Sequence, residues 1–247
     1  MALETDRGVY SRPYSASGAD AALIDAGLRR YMLQVYNYMA SGLFLSGLVA
    51  LLVANTSMRS IFFQTTERGV GYTGIGLLSV FAPIGLILAM SFGASRMKAN
   101  TLKVLYWAFV ATMGIGLSNV LLLYTGASVT RVFFITGIAF GSLSLYGYLT
   151  KRNLSAFATF LFMGMIGLVI ASLVQIFLQS AAMQFVISAV GVLLFSALTA
   201  YDTQRIKNDY LQMGGNDHSA IMGAVSIYLD FVNLFQFLLH FMGVRRD

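Results

Sequence analysis

The sequence predicts an all-α integral membrane protein built as a bundle of seven transmembrane helices. Of its 247 residues, 57% are hydrophobic and only 11% are charged, whereas soluble domains carry about 25% charged residues. Several apolar runs are long enough to cross a bilayer, which takes about 20 helical residues. The alternation of about ten residues that is typical of membrane strands is not visible. Because lipid cannot satisfy backbone polar groups, we expect every run to be helical.

The chain divides into three parts by polarity. A polar N-terminal arm covers residues 1–30, the transmembrane domain covers residues 31–243, and a short tail covers residues 244–247. The predicted spans lie at residues 31–54, 73–94, 102–124, 129–149, 156–178, 182–203 and 219–242. The arm has no apolar core or cleavage site of a secretory signal, so we expect it to be a cytoplasmic arm.

The distribution of basic residues predicts the orientation. The arm and the second, fourth and sixth connections hold eleven of the sixteen Lys and Arg residues, and the other side holds five. Cytoplasmic loops carry the excess of Lys and Arg, so the N-terminus is predicted to be cytoplasmic. The C-terminus would lie on the opposite side, unless the last apolar segment is re-entrant.

Composition disfavours several classes of function. Cysteine is absent, which excludes disulfides, thiolate metal sites and cysteine nucleophiles. The net charge of +6 comes from basic residues in short connections, so no nucleic-acid partner is expected. His218 and His240 lack the spacing of metal ligands, so neither a zinc site nor a histidine-based triad is predicted. We expect no enzymatic activity and no cofactor apart from a bound or transported ion.

Two glycine patterns have structural interpretations. The stretch GVGYTG, with Gly69, Gly71 and Gly74, fits the spacing of a dinucleotide-binding fingerprint. It lacks the preceding strand and the later acidic residue that this fingerprint requires, so we interpret it as a flexible loop leading into the second span. Gly137 and Gly141 have the spacing that allows close helix contact, which predicts helix packing.

The last span carries a polar stripe with a carboxylate near its middle. Asp230 lies roughly halfway along the span, where an ionised Asp costs about 2.5–3.5 kcal/mol on insertion scales. At 100° per residue, one face of this helix holds Ser226, Asp230, Asn233, Gln236 and His240. Such a stripe faces protein or a water-filled cavity, so this helix is expected inside the bundle. A purely structural hydrogen-bonding role is the alternative.

A second acid, Asp202, lies near the end of the sixth span. It can form an ordinary helix-end pair with Arg205, three residues later. However, if the last two spans form a hairpin that turns near Asn216, Asp202 and Asp230 come to the same depth. Two facing carboxylates share a proton or recruit a cation. Ca²⁺ suits such oxygen ligands, although H⁺ and Na⁺ remain alternatives.

The segments AYDTQRIK and SIYLDFVNLFQFLL resemble the paired C-terminal motifs of the Bax inhibitor-1 (transmembrane Bax inhibitor motif) family. The stretch SLSLYGYLTKRNLSAFATFLFMGMIGLVIASLVQIFL resembles its bacterial members, and the likeness extends over residues 31–243. It implies a seven-helix bundle whose last helix is enclosed by the other six. It also implies a pH-sensitive Ca²⁺ leak, in which Asp202 and Asp230 share a proton and form a latch with an arginine near the end of the second helix, here Arg96. A carboxylate found in the second span of some members is missing from FAPIGLILAM.

The predicted function is therefore a calcium leak channel of a bacterial inner membrane, gated by the aspartate pair. In this hypothesis the deprotonated pair and Arg96 hold the cytoplasmic end closed, and protonation favours an open state. The alternative implied by bacterial relatives is a non-transporting regulator of membrane partners such as a membrane-bound AAA protease. An intramembrane aspartyl protease is a third interpretation, but the G-x-G-D sequence of those enzymes is absent.

Overall fold

The computed structural model describes residues 18–66, 69–93 and 96–246. Its helices are α1 Gly18–Asn55, α2 Arg59–Phe62, α3 Gly74–Gly93, α4 Ala99–Leu123, α5 Gly126–Leu149, α6 Ala158–Leu178, α7 Ala181–Met213 and α8 Asp217–Met242. Two strands, β1 Phe63–Thr66 and β2 Gly69–Tyr72, lie between α2 and α3, and a 3₁₀ turn Leu154–Phe157 precedes α6. Arg7, Arg12 and Arg68, which contribute to the predicted orientation, lie outside the described residues, as do residue 247 of the tail and residues 1–17 of the arm.

All helices except α2 are long and apolar enough to cross a membrane, which gives seven candidate spans in the described part of the chain. Large apolar side chains cover the outside of the bundle, with Phe92 82% exposed and Phe177 85% exposed. Such a surface is stable in lipid and not in water. The predicted all-α membrane bundle is therefore confirmed.

The helices alternate in direction and define two ends of the bundle. We name the end where α1 and α8 begin the N-side and the end where α8 finishes the C-side. Two helices are longer than their apolar runs: α1 begins at Gly18, not near Tyr31, and α7 continues to Met213, ten residues past the predicted end. Hydropathy detects only the lipid-facing part of a helix, and these polar extensions lie at the N-side.

The last helix is the most enclosed element. In α8, 61% of the residues in the most apolar 18-residue stretch are buried, compared with 11–28% of the residues in the corresponding stretches of the other six spans. Helix α8 packs mainly against α1, α4, α5 and α7, while α3 packs chiefly on α4 and α6 chiefly on α7. The predicted central position of the last helix is confirmed, with four helices in extensive contact with it and two further out.

Two glycines mark the closest helix crossings, and they are not the predicted pair. A Cβ added at Gly114 of α4 would lie 2.6 Å from the Ser46 carbonyl oxygen of α1, and a Cβ at Gly147 of α5 would overlap the Ala200 carbonyl oxygen of α7. A Cβ at Gly137 or Gly141 would meet nothing within 4 Å. The prediction that these two glycines pack against a helix is wrong. Glycine spacing does not reveal which face of α5 meets α7.

The glycine-containing stretch before α3 is a strand, not a loop. Strand β2 pairs antiparallel with β1, with Phe63 opposite Tyr72 and Thr66 opposite Gly69. The rings of Phe63 and Tyr72 lie 5.1 Å apart between centroids, and cross-strand aromatic contacts of this kind stabilise a short hairpin. The interpretation of this stretch as a flexible loop is therefore wrong. Strands of four residues between two spans are too short for alternation to be recognised.

The turn between α7 and α8 agrees with the predicted hairpin. Gly214 follows the end of α7 with φ +73°, a backbone conformation that glycine tolerates best. Asn216 then caps α8: its side chain accepts from the backbone N–H of Ser219 at 2.8 Å. In return, the Ser219 hydroxyl accepts from the backbone N–H of Asn216 at 3.0 Å, which completes a capping box. This turn fixes the register of the two helices that carry the acids.

Candidate functional site

Asp202 of α7 and Asp230 of α8 meet inside the bundle. They are 7% and 4% exposed, respectively, and their carboxyl groups lie within hydrogen-bonding reach of one another. The two residues are equally far from Asn216, so an antiparallel hairpin brings them to one level. A carboxylate has no hydrogen to donate, so a hydrogen bond between them requires a proton on one of the two. Among the described residues, no N–H or O–H group donates to Asp230 Oδ2.

Arg205 is the cation that contacts this carboxyl pair. Its Nη1 lies 3.2 Å from Asp202 Oδ1, and its Nη2 donates to the Ser226 hydroxyl of α8 at 3.1 Å. One guanidinium therefore links both helices of the hairpin. The Arg205 side chain is 42% exposed, compared with 11% for the Asp202 side chain. The arginine thus stands between the buried acids and the solvent of the N-side.

Arg96 lies elsewhere in this structure. It is exposed in the turn between α3 and α4. Neither of the two ion pairs within the described ranges includes it: one joins Asp202 to Arg205, and the other joins Lys103 to Asp217 at 2.7 Å. The structure therefore brings together Asp202, Asp230 and Arg205, and it does not bring Arg96 to them. A latch role for Arg96 stays a prediction.

The remaining polar stripe of α8 is not continuous with the carboxyl pair. Asn233 donates to the Leu229 carbonyl oxygen of its own helix at 2.8 Å, and Gln236 is half-buried. The His240 ring lies edge-on to Tyr124, 6.1 Å between centroids, near the C-side. Ten residues separate His240 from Asp230, which is about 15 Å along a helix. Of the predicted supporting residues, only Ser226 shares a hydrogen-bonding partner with the pair.

A chain of hydroxyl groups beside Asp202 was not predicted. Ser144 of α5 contacts the Thr203 hydroxyl of α7 at 2.9 Å and also the Tyr36 hydroxyl of α1. Thr203 in turn donates to the Thr199 carbonyl oxygen at 2.8 Å, and Ser144 and Thr203 are both buried. These hydroxyls join three helices at the level of the acids. No signal in the sequence relates residues so far apart.

A cavity opens toward Arg205 from the N-side. It has a volume of about 370 Å³ and lies between the N-side parts of α7 and α8. Arg205, Ser226 and Asp209 line its polar wall, and Tyr31 of α1 and Gly214 line the rest of its mouth. The cavity thus reaches the guanidinium that contacts Asp202. Arg205 is the side chain that separates this space from the carboxyl pair.

Aromatic side chains close the bundle on the other side of the pair. Phe231, which follows Asp230, lies edge-on to Phe133 and Phe140 of α5, at 5.6 and 5.4 Å between centroids. Further toward the C-side, Phe237 stacks on Phe195 of α7 at 5.6 Å. These apolar rings offer water and ions no hydrogen-bonding partners. The buried carboxyl pair therefore lies between Arg205, which lines the N-side cavity, and aromatic packing toward the C-side.

Comparison with known proteins gives the family. The family model described as "Inhibitor of apoptosis-promoting Bax1" matches residues 28–247. The chain belongs to the Bax inhibitor-1 family. Among its relatives, a protein of Caulobacter vibrioides is 46% identical over 96% of this chain and 97% of its own. A protein of Rickettsia prowazekii is 44% identical over 90% and 93%. The inner membrane protein YbhL of Escherichia coli is 40% identical over 90% and 94%.

The buried site of this Bax inhibitor-1 family member offers two carboxyl groups as possible oxygen ligands. Among the described residues, no group of three or more His, Cys, Asp or Glu side chains could hold a metal ion. Ca²⁺ takes six to eight oxygen ligands. Two carboxylates supply only part of that set.

Proposed function

We propose that this Bax inhibitor-1 family protein is a pH-sensitive calcium leak channel of a bacterial inner membrane, gated by Asp202 and Asp230. The observation that carries the proposal is the contact between Asp230, at mid-length of the most enclosed helix, and Asp202 of α7. Burying acids there is costly, and intramembrane acids are generally retained for a function. No enzymatic role is proposed, since neither acid lies in the G-x-G-D sequence of intramembrane aspartyl proteases.

The pair is suited to respond to protons. Two ionised carboxylates in contact repel each other strongly in a low-dielectric interior, so such a pair shares a proton or recruits a cation. The positive charge of Arg205 opposes this effect by favouring ionised Asp202. The charge of the site therefore depends on pH, and the strength of the Arg205 contact depends on that charge.

The proposed gate is the contact between Arg205 and Asp202. While Asp202 is ionised, Arg205 stays between the N-side cavity and the carboxyl pair. Protonation of Asp202 removes the charge that holds the guanidinium, so acidification favours its release into the cavity. Opening would also require the aromatic contacts around Phe231 to rearrange, which we propose as the second part of the transition.

Two further observations support the proposed membrane and orientation. YbhL, at 40% identity, carries the description of an inner membrane protein, so we propose the same membrane for this chain. The N-side connections carry most of the Lys and Arg residues, including Lys151 and Arg152. We therefore propose that the N-side, with the cavity and Arg205, faces the cytoplasm.

The decisive experiment is flux through the purified protein in liposomes that contain a calcium dye, measured over a range of pH. Asp202→Asn and Asp230→Asn each remove one titrating carboxyl with little change in shape, so each should flatten or shift the pH dependence. Asp25→Asn is the matched control, because Asp25 is exposed on α1. Wild-type pH dependence in both variants would refute gating by the pair. Parallel measurements with Na⁺ and H⁺ would identify the ion.

The second candidate function is a non-transporting regulator that binds a membrane partner such as a membrane-bound AAA protease. The favouring observation is the N-side extension of α1, where Leu23 is 71% exposed and Ile24 is 50% exposed. Replacing both with Ser should weaken binding to a co-reconstituted protease if this surface is the docking site. Protease binding without any ion flux from the wild type would favour the regulator over the channel.

A further inference from the structure

An apolar cleft opens on the side of the bundle, away from the carboxyl pair. It has a volume of about 370 Å³ and lies between α1, α4 and α5, with α8 as its floor. Gly47 of α1, Leu117 of α4 and Phe133 of α5 form its walls, and Phe231 and Phe235 form the floor. Helices α4 and α5 are consecutive but make few contacts with one another. The cleft is the gap that they leave.

The position of the cleft determines what can occupy it. All of its lining residues belong to membrane spans, in the half of the bundle nearer the C-side. Hydrocarbon chains are the molecules that surround this part of the protein. Water is not stable in a cleft with so few polar partners. An acyl chain is therefore the occupant whose chemistry matches the walls.

Two arginines lie at the C-side rim of the cleft. The chain after α8 is fastened to the turn between α4 and α5: the Arg246 backbone N–H donates to the Leu123 carbonyl oxygen at 2.9 Å, and the Thr125 N–H donates to the Val244 carbonyl oxygen at 3.0 Å. This holds Arg245 and Arg246 beside Gly126, which lines the cleft.

We propose that this cleft binds one acyl chain of an anionic phospholipid whose phosphate contacts Arg245 and Arg246. The apolar walls take the chain, and the two arginines at the rim select the negative headgroup. The lipid chain then lies against Phe231 and Phe235 of the central helix. This binding site is separate from the N-side cavity and does not depend on ion conduction.

Glycines in the walls provide a way to fill the cleft without disturbing the fold. A Cβ added at Gly47 or Gly126 meets nothing within 4 Å, so a larger side chain extends into the empty space. Gly47→Leu is the test variant, and Gly126→Leu is a second, independent filler. Gly137→Leu is the matched control, since its Cβ is equally unobstructed and Gly137 does not line the cleft.

The measurement is native mass spectrometry of the purified full chain titrated with phosphatidylglycerol or phosphatidylcholine. Wild type and Gly137→Leu should retain one phosphatidylglycerol, and the two fillers should lose about tenfold in apparent affinity. Arg245→Gln combined with Arg246→Gln should remove the preference for phosphatidylglycerol over phosphatidylcholine. A phosphatidylglycerol with a photoreactive group on its acyl chain should label the peptide that contains Phe231 and Phe235.

Each result bears directly on the proposal. Undiminished lipid retention in the folded fillers, or labelling confined to other peptides, would overturn the cleft as the site. Equal retention of both lipids by the wild type would overturn the anionic headgroup. If one filler variant elutes as aggregate, the other filler variant serves for the comparison. The labelling experiment on the wild type tests the cleft without any substitution.

Discussion

The Arg205 guanidinium lies 3.2 Å from the Asp202 carboxylate, one helical turn away on α7, and also reaches Ser226 on α8. A helix-end ion pair of this spacing is ordinary. Here it is combined with the contact between Asp202 and Asp230, so Arg205 and Asp230 both act on the charge of the same carboxyl. The ion pair is thus the connection between the N-side cavity and the buried acids.

Replacing Arg205 with Gln should raise calcium flux near neutral pH and flatten its dependence on pH. The ion pair between Arg205 and Asp202 has one half-exposed partner, and ion pairs of this kind contribute up to about 1 kcal/mol. The increase in calcium flux should therefore be about two- to fivefold. Flux into dye-loaded liposomes measures it. Lys207→Gln is the control, since Lys207 of the same helix donates to the Tyr148 carbonyl oxygen instead. An unchanged pH profile in Arg205→Gln would show that Arg205 is no gate.

Much of the fold follows from the sequence because lipid imposes simple rules. Seven apolar runs predicted seven membrane-spanning helices, and the glycine pair before Asn216 predicted the hairpin between α7 and α8. The short strands and the polar ends of α1 and α7 could not be predicted in this way. Hydropathy indicates which segments contact lipid, and these segments contact little of it. The closest approach of α5 and α7, at Gly147, depends on side-chain packing between distant residues.

Part of the candidate site could also be predicted from the sequence. Asp202 and Asp230 are rare acids in apolar helices, and the symmetry of the hairpin about Asn216 places them at one depth. The contact of Arg205 with Asp202 is also local in sequence, and it was one of the two alternatives for Asp202. The hydroxyl chain through Ser144 and Thr203 joins helices that hydropathy treats independently, so nothing in the sequence indicates it.

Substitution of Gly147 by Ala should destabilise the bundle. The added methyl group would overlap the Ala200 carbonyl oxygen, which belongs to the backbone of α7 and cannot rotate away. Overpacking of this kind costs about 1–3 kcal/mol, so the thermal midpoint of the purified protein should fall. Gly141→Ala on the same helix is the control, because its methyl group meets nothing within 4 Å. Its midpoint should stay or rise slightly.

Loss of the cap at the start of α8 should weaken the hairpin that carries both acids. Asn216→Ala removes the acceptor of the Ser219 N–H, and loss of such a cap costs about 1 kcal/mol. Asn216→Ser keeps a capping oxygen and should be close to wild type. The measurement is the unfolding midpoint in mild detergent. Equal midpoints for the Ala and Ser variants would mean that the cap contributes nothing to this turn.

A buried hydroxyl pair between α1 and α8 should show an asymmetric response to substitution. Ser46 Oγ donates to the Val110 carbonyl oxygen at 2.6 Å and lies 2.6 Å from the Tyr228 hydroxyl, which is fully buried. Tyr228→Phe leaves Ser46 with the Val110 carbonyl oxygen as its acceptor. Ser46→Ala instead removes the hydrogen-bonding partner of a hydroxyl that water cannot reach.

An unsatisfied buried polar group costs about 1–3 kcal/mol, whereas removing both partners of a hydrogen bond is nearly neutral. Ser46→Ala should therefore lower the thermal midpoint more than Tyr228→Phe. The double variant should be more stable than the sum of the two single losses predicts, because it no longer contains the orphaned Tyr228 hydroxyl. Strict additivity in this double-mutant cycle would show that the two hydroxyls do not interact in the folded protein.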